Sequence, residues 1–595
     1  MLTTLREAGC HKNLYELSKS YFSERTASLT FNSVSIQTTI SKGCPQGSCC
    51  GPGFWNIQYN SLLNVQYCQH TKVLAFADDF LMITKGKSLL ELENHVNLDL
   101  YKVERWAKNH KITFNEQKSR LLVITKRRPR ISRNLNIFLS NRNIPQSESI
   151  KYLGITIDKK FNFNEHINQV TQKCTNLIHA LAKSAKLNWG LNSDVMRIIY
   201  KGAVLPILSY GAPVWIEAIN KQHNAVKLNR VQRLINIRTA KAFRTTSNEA
   251  LCVLTKSTPI ILEIQKLATF YEMKKGKRKI AMDVPRHYSM WPHPADIYTI
   301  KRKQENTEYK LNIYTDGSKG QTGVGAGIAI YTNNQSAHQL QYRLQDHCSN
   351  NQAEQLAILK ALQYLETDEQ LPDHQKSAAI HTDSKITLDS LENQRNQNNL
   401  IVLIREQTKK LETQNWIIHY TWIKAHNGNE GNERADQLAK QAAGNRDLPV
   451  NYYLKPASVV FSELQSISVD KWETEWNYTT NGTVTKSFLP SVKDRLKLNI
   501  PLNRNITTFF TGHGKINSYF FRFKIKDNPW CTCGNVEQTV DHVLFECVKL
   551  ERQRQLFKNN MISKYGKWTF DKTKLVKGYT EELISYINSI DLDRL

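Results

Sequence analysis

Leu311-Asn312-Ile313-Tyr314-Thr315-Asp316 alternates apolar and polar side chains, ends on an acid, and is followed at once by Gly317-Ser318. That period of two predicts a half-buried strand. Downstream, Val324 to Tyr331 is Gly-rich and then β-forming, which fits the hairpin partner of that strand. From Asn350 to Leu365 the stripe Ile358, Leu359, Leu362 and Leu365 has helical spacing, and Glu354 lies one turn before Ile358, close to the apolar face. Ala378-Ala379-Ile380-His381-Thr382-Asp383 predicts a third strand, again ending in an acid, and Trp416 to Trp422 another. The loop from Lys424 to Asn429 then leads into a helix carrying Asp436.

Two strands ending in Asp, with helices bringing Glu354 and Asp436, can gather four carboxylates in one place. Left to themselves the four would repel, and some would stay protonated. Two divalent cations would relieve that repulsion, and an all-oxygen donor set favours Mg²⁺ or Mn²⁺. Two such ions a few ångströms apart activate a water and stabilise the leaving oxygen in phosphodiester hydrolysis. Taken singly, each acid could equally be a helix cap or a surface residue; the strand-end and helix context of all four together points to a cluster. His426, in a Gly/Asn loop, could shuttle protons near neutral pH, or simply be a solvated loop residue.

The set Tyr314-Thr315-Asp316-Gly317-Ser318, Asn351-Gln352-Ala353-Glu354, His381-Thr382-Asp383-Ser384, Trp422-Ile423-Lys424-Ala425-His426 and Asn432-Glu433-Arg434-Ala435-Asp436 resembles type 1 ribonuclease H, with every landmark in order. The resemblance implies a mixed five-stranded sheet flanked by helices and hydrolysis of the RNA strand of RNA–DNA hybrids. It implies Asp316, Glu354, Asp383 and Asp436 as ligands of two Mg²⁺ or Mn²⁺ ions, and His426 as the loop histidine that helps product or a proton leave. Selecting RNA requires a group that senses the 2′-hydroxyl. The backbone around Gly317-Ser318 and the side chains of Asn350 and Gln352 are expected to serve.

The whole chain has 595 residues, too many for one domain, with 40% hydrophobic and 23% charged residues, a globular composition. Lys plus Arg number 81 against 53 Asp plus Glu, a net charge of +28. Such an excess suits a nucleic-acid partner, with a basic surface kept for solubility as the alternative. Residues 306–445 hold 13 Lys plus Arg and 16 Asp plus Glu, so the entire positive excess lies outside them. Eleven cysteines, an odd number and mostly scattered, fit a reducing compartment. The longest nearly uncharged apolar stretch, Gly202 to Trp215, is short of the roughly 20 residues of a membrane helix. An intracellular protein without a membrane partner is expected, and the basic run Lys274, Lys275, Lys277, Arg278, Lys279 is compatible with a nuclear location.

Upstream, Phe76-Ala77-Asp78-Asp79 sits between two apolar runs, Val73-Leu74-Ala75 and Phe80-Leu81-Met82-Ile83, an expensive place for two acids unless they hold a metal. Gly43-Cys44-Pro45-Gln46-Gly47, with Pro52, Phe54, Trp55 and Asn56, precedes it. Together they resemble the template-gripping and catalytic hairpin motifs of a reverse transcriptase. Trp106 to Lys118 and Lys151-Tyr152-Leu153-Gly154 resemble the segments that follow in LINE-type (non-LTR) retrotransposons. The resemblance implies a further Asp on an earlier palm strand. Residues 1–42 offer none in such a setting, so the palm is expected to be truncated and stand-alone DNA synthesis is not expected.

Near the C-terminus, Cys531, Cys533, His542 and Cys547 give C-x-C-x₈-H-x₄-C, a donor set that suits tetrahedral Zn²⁺, though C-x-C is tighter than the usual spacing. Chance cysteines beside a helix are the alternative. Asp541 to Cys547 and Thr511-Gly512-His513-Gly514 resemble the C-terminal knuckle of the same polyproteins, which implies zinc and binding of single-stranded nucleic acid with neighbours such as Phe520, Phe521, Arg522 and Lys524.

The expected architecture is multidomain, α+β and α/β: a truncated polymerase palm at 1–145, a helical thumb or connection at 146–255, a basic Pro-containing linker at 256–305, the ribonuclease H-like sheet at 306–445, a connector at 446–515, a CCHC zinc knuckle at 516–550 and a helical tail at 551–595. The expected function is metal-dependent hydrolysis of the RNA strand of hybrids. A catalytically silent nucleic-acid-binding remnant, and a polymerase completed by another chain, are the alternatives.

Overall fold

The computed structural model describes the chain apart from residues 41–42, 44–46, 126–132, 184–190, 277–279, 293–295, 303–307, 333–334, 368–375 and 426. It comprises two units, Met1–Gln169 and Val170–Leu595.

In the first unit, β1 (Thr26–Phe31) and β2 (Val34–Thr39) form one antiparallel hairpin, and β3 (Thr71–Phe76) and β4 (Asp79–Thr84) another. Helix α1 (Gly51–Leu63) starts with Pro52 in its first turn, where a missing N–H is harmless. Helix α2 (Leu89–Asn109) is capped by Ser88, whose hydroxyl accepts from the Glu91 amide. Tyr59 and Leu62 of α1 pack with Val103 and Trp106 of α2, and Ala75 and Phe80 of the second hairpin close that core.

The second unit opens with helices, among them α3 (Gln222–Ala240), α4 (Asn248–Thr255) and α5 (Ile260–Lys274). The chain then passes through β5 (Met282–Asp283) into β6 (Leu311–Gly320), β7 (Gly323–Thr332), β8 (Gln335–Leu344), α6 (Asn350–Thr367), β9 (Ser377–Thr382), α7 (Lys385–Glu392), α8 (Asn399–Thr413), β10 (Ile417–Trp422) and α9 (Glu430–Gly444). It continues through β11 (Val450–Tyr452) and β12 (Lys455–Pro456) into α10 (Ala457–Tyr478) and a run of shorter helices.

The sheet order is β10-β9-β6-β7-β8-β11. Strands β6, β9 and β10 are parallel, β7 runs antiparallel to β6 and β8, and β11 lies parallel to β8. The expected five strands are therefore joined by a sixth, from residues beyond 445. Apolar side chains of β6, β7 and β9 pack against Ala353, Leu356, Ala357 and Leu362 of α6 and Ile401 and Ile404 of α8. On β7, Gly325 and Gly327 let α9 sit against the strand: a Cβ at Gly327 would lie 2.2 Å from the Ala435 carbonyl oxygen.

Residues 256–305 are not a free linker. Residues 260–274 are helix α5, and the segment beyond is strapped to the sheet domain. Arg286 makes a bidentate pair with Glu406 (2.5 and 2.9 Å), Lys301 and Tyr298 both reach Glu412, Arg302 reaches Glu392, and Ile300 is buried in the sheet core. Carboxylates of the slightly acidic domain thus hold Arg286, Lys301 and Arg302 of the segment in place.

The connector, knuckle and tail are likewise not separate bodies. Ala240, Leu251 and Leu254 of the thumb region share one core with Trp472, Trp476, Phe509 and Phe510 of the connector, Cys531, Val543 and Cys547 of the Cys/His segment, and Phe557, Leu583 and Ile587 of the tail. Polar ties cross the same core: Ser193 Oγ donates to the Leu502 carbonyl (2.9 Å), Arg495 to the Leu254 carbonyl (2.6 Å) and Tyr586 to the Leu544 carbonyl (2.9 Å). About 35 residues cannot bury a core of their own, so the Cys/His segment borrows one. The sheet domain is thus an excursion from a helical body, leaving after α5 and returning at α10.

No single described helix is long and apolar enough to cross a membrane. The bent pair Ser193–Ser209 and Ala212–Asn220 reaches that length and composition only jointly, and its Val204, Leu208, Ala212 and Trp215 are buried.

Candidate active site and Cys/His cluster

Gly317 explains how two acids from different elements meet. A Cβ there would stand 2.4 Å from the Glu354 amide nitrogen and 2.8 Å from the Ala353 carbonyl carbon, so only glycine lets β6 lie this close to α6. Asp316, 6% exposed, and Glu354, 5% exposed, come together across that contact. Asp383 follows the parallel neighbour β9 and joins them. One carboxylate oxygen from each of Asp316, Glu354 and Asp383 lies within 4.8 Å of the others.

Asp316 Oδ1 accepts from the Gly317 amide at 2.7 Å. Glu354 Oε1 takes a long bond from the Asn350 amide at 3.4 Å, while its Oε2 is buried and, among the described residues, has no hydrogen-bond partner. Burial, then the Asp383 charge, pushes the Asp316 carboxyl up to about 7. Burial, then Asp316 and Asp383, raises Glu354 well above the usual carboxylate range. Three acids held together, two of them pushed toward their protonated forms, suit a hard divalent cation that would take the place of the protons.

Asp436, expected as a fourth ligand, is not in this close group. Helix α9 brings it near enough for its charge to raise Asp316, but its own Oδ2 accepts from Lys440 Nζ at 2.6 Å, one turn on. Gln352 is not available to read a 2′-hydroxyl. It is 5% exposed, its Oε1 accepts from the Ser349 amide (2.9 Å), and its Nε2 donates to Asp283 Oδ2 (2.7 Å) and to the Leu454 carbonyl (3.2 Å). Asn350 is exposed at the start of α6. His426 lies outside the described residues.

Cys531, Cys533, His542 and Cys547 do converge, with one donor atom of each within 4.8 Å of the others. Cys531 Sγ lies 3.8 Å from Cys547 Sγ, and Cys533 Sγ lies 3.3 Å from His542 Nε2. A tetrahedron with Zn–S of about 2.3 Å and Zn–N of about 2.0 Å has edges of about 3.8 and 3.5 Å, close to those separations. The other ring nitrogen, His542 Nδ1, is buried and stands 3.4 Å from Glu546 Oε2, the carboxylate–histidine arrangement common behind a ligating imidazole. Donor chemistry and spacing both fit Zn²⁺.

In the first unit, Asp78 lies in the β3–β4 turn and Asp79 opens β4, and both are exposed. Trp55 Nε1 donates to the Ala77 carbonyl at 2.8 Å, and Ala77 takes a positive φ of 51° at the turn. Among the described residues these two acids join no third metal-ligating side chain. Gly47 is exposed with φ of 85°; Gln46 lies outside the described residues.

The sequence matches the family RNase H over residues 308–444 and the family reverse transcriptase (RNA-dependent DNA polymerase) over residues 2–157. It is 30% identical over 308 residues to a putative 115 kDa protein in the type-1 retrotransposable element R1DM of Drosophila melanogaster, covering 51% of this chain and 29% of that one. It is 28% identical over 275 residues to a retrovirus-related Pol polyprotein from type-1 retrotransposable element R1 2 of Nasonia vitripennis, covering 45% of this chain and 66% of that one. The chain thus spans less than two thirds of either relative's length. Among solved structures, ribonuclease H1 of Halobacterium salinarum is 21% identical with a TM-score of 0.19, covering 22% of this chain and 96% of that one. LC11 ribonuclease H1 in complex with an RNA/DNA hybrid is 20% identical, also with a TM-score of 0.19, over 22% and 96%. The chain thus carries a reverse-transcriptase segment and a ribonuclease H segment, and over about half its length it is similar to proteins of type-1 retrotransposable elements.

Proposed function

We propose that residues 282–456 hydrolyse the RNA strand of RNA–DNA hybrids with divalent cations, Mg²⁺ or Mn²⁺. The observation that carries this is the triad Asp316, Glu354 and Asp383, the first two buried and the third half-buried, with Glu354 Oε2 lacking a hydrogen-bond partner among the described residues. These three would hold the cations. Asp436 adds negative charge beside them and joins the ligand set once Lys440 releases it. When bound, a pair of such cations activates water and stabilises the departing oxygen of a phosphodiester. Asn350, exposed and already bonded to Glu354, is the side chain best placed to meet a 2′-hydroxyl, and His426 remains the candidate for assisting product or proton departure.

The basic remainder of the chain would hold the duplex. The sheet domain with its strap, residues 282–456, has 19 Lys plus Arg against 20 Asp plus Glu, so it cannot attract a polyanion by itself. Cys531, Cys533, His542 and Cys547 would hold one Zn²⁺ that fastens the C-terminal helices, with Arg522, Lys524 and the exposed Phe521 beside it for single strands. Stand-alone DNA synthesis is not part of the proposal, because Asp78 and Asp79 have no third ligand among the described residues.

The test is a hybrid with each strand labelled in turn, beside single-stranded RNA and duplex DNA. Cutting confined to the RNA strand of the hybrid, and dependent on added Mg²⁺ or Mn²⁺, is expected. Binding without cutting would instead identify a silent nucleic-acid-binding remnant.

A further inference from the structure

The strands that enter and leave the sheet domain form a neck. β5 pairs parallel with β12, and the Lys455 amide donates to the Ala281 carbonyl at 2.8 Å. On the neck's helical side, Met282 is buried with Val460 and Leu464 of α10, and Phe270 and Met273 of α5 pack against them. The next residue, Asp283, engages the sheet domain. Its Oδ2 accepts from Gln352 Nε2 at 2.7 Å and from the Tyr452 hydroxyl at 2.9 Å. Gln352 is buried in the first turn of α6, two residues before Glu354. Neighbouring residues of one short strand thus touch the α5–α10 packing and the turn that carries a buried carboxylate of the candidate site.

The hydrogen bonds concentrate on this point. Gln352 uses both ends of its amide, and Tyr452, the last residue of β11, shares the same carboxylate oxygen. Two charge-assisted bonds on one oxygen fix the direction of Gln352 more firmly than neutral ones would. Because Gly317 allows no slack between β6 and α6, a turn of α6 that moves by a few tenths of an ångström shifts Glu354 against Asp316.

We propose that Asp283 is a positioning residue: through Gln352 and Tyr452 it sets the first turn of α6 and so the place of Glu354, coupling the carboxylate cluster to the packing of α5 on α10. This rests on the reading of that cluster as a divalent-cation site. Partners that orient a ligand change metal affinity by about 10- to 100-fold when lost. Asp283 acts one residue removed from the ligand, so the lower end applies.

Calorimetric titration of the full chain with Mn²⁺ tests this without requiring hydrolysis, with Asp316→Asn identifying the heat that belongs to the cluster. Asp283→Ala should weaken that Mn²⁺ binding about tenfold. Asp283→Asn keeps an oxygen able to accept both bonds but loses the charge, and Tyr452→Phe loses one bond, so both should fall between Asp283→Ala and wild type. A merely structural tether would lower the melting temperature of Asp283→Ala and leave Mn²⁺ affinity unchanged, which would overturn the proposal. Should Asp283→Ala fail to fold, unchanged Mn²⁺ affinity in Tyr452→Phe would overturn it equally. A wild-type chain that binds Mn²⁺ at the cluster but cuts no hybrid would sink the ribonuclease reading while leaving the role of Asp283 standing.

Discussion

Replacing Asp316 by Asn should make the metal-free protein more stable at neutral pH while abolishing cation binding. The folded-state value of this carboxyl is about 7, against 3.8 unperturbed. A folded value raised above the unfolded one means that the group's contribution to stability is complete below about pH 4 and is lost as pH rises through about 7. At about 1.4 kcal/mol per pH unit, the loss amounts to about 4 kcal/mol at pH 8. Asn carries no such charge and still offers an oxygen to the Gly317 amide. Subtracting about 1 kcal/mol for an imperfectly paired amide leaves an expected gain of about 3 kcal/mol. Hydrogen exchange of peptides from β6 and α6, corrected for intrinsic rates, measures this locally in magnesium-free buffer between pH 5 and 8. Protection should decline with pH in the wild type and much less in Asp316→Asn, and Mg²⁺ should restore the wild type alone. Equal pH dependence in the two proteins, or weaker protection of Asp316→Asn at pH 8, would refute the idea that Asp316 is held ionised against its surroundings.

Gly317→Ala should destabilise the sheet domain by about 3 kcal/mol or more and weaken Mn²⁺ binding, because the new Cβ meets backbone at 2.4 Å; denaturant titration and calorimetry check the two effects. Purified full chain should hold about one Zn²⁺, and Cys533→Ser should lose it together with thermal stability of the surrounding helices, since the cluster borders their core; metal analysis beside scanning calorimetry decides this. Excised residues 282–456 should fold better than 306–445, which lacks the buried Ile300, the Asp283 tie and β11, as far-ultraviolet dichroism on heating would show. The 282–456 fragment should cleave hybrid with a much raised KM, a less changed kcat and a flatter dependence of log K on log salt than the full chain, and equal salt slopes would mean that the basic flanks do not touch the substrate.

The strands and the acids Asp316 and Asp383 could be read from the sequence because alternation and burial are local there, although β6 does not end on Asp316 but runs on to Gly320. β8 could not, since its run from Gln335 to Gln341 is largely polar and faces solvent. Residues 280–302 look like part of a linker because they follow the basic run from Lys274 to Lys279 and contain Pro285, Pro292 and Pro294; what anchors them, Glu392, Glu406 and Glu412, lies about a hundred residues away. The helical core had the same obstacle. Thr507 bonds the Ala240 carbonyl across 267 residues, and no local period announces such a contact. Gln352 shows the limit at the site itself. Its position beside Glu354 suggested a substrate contact, and only a carboxylate from the strap, Asp283, reveals that its amide is already engaged. The Asp436 pairing with Lys440 has helical i, i+4 spacing and could have been anticipated from it.

The most direct measurement is cleavage of a hybrid with labelled RNA by the full chain and by Asp383→Asn, across a Mn²⁺ titration, with dichroism spectra matched. The wild type should cut the RNA strand in proportion to cation occupancy, and Asp383→Asn should lose most of that activity at every concentration while remaining folded. Undiminished cutting by Asp383→Asn, or RNA cleavage that persists without any divalent cation, would contradict the assignment of Asp316, Glu354 and Asp383 as the catalytic centre.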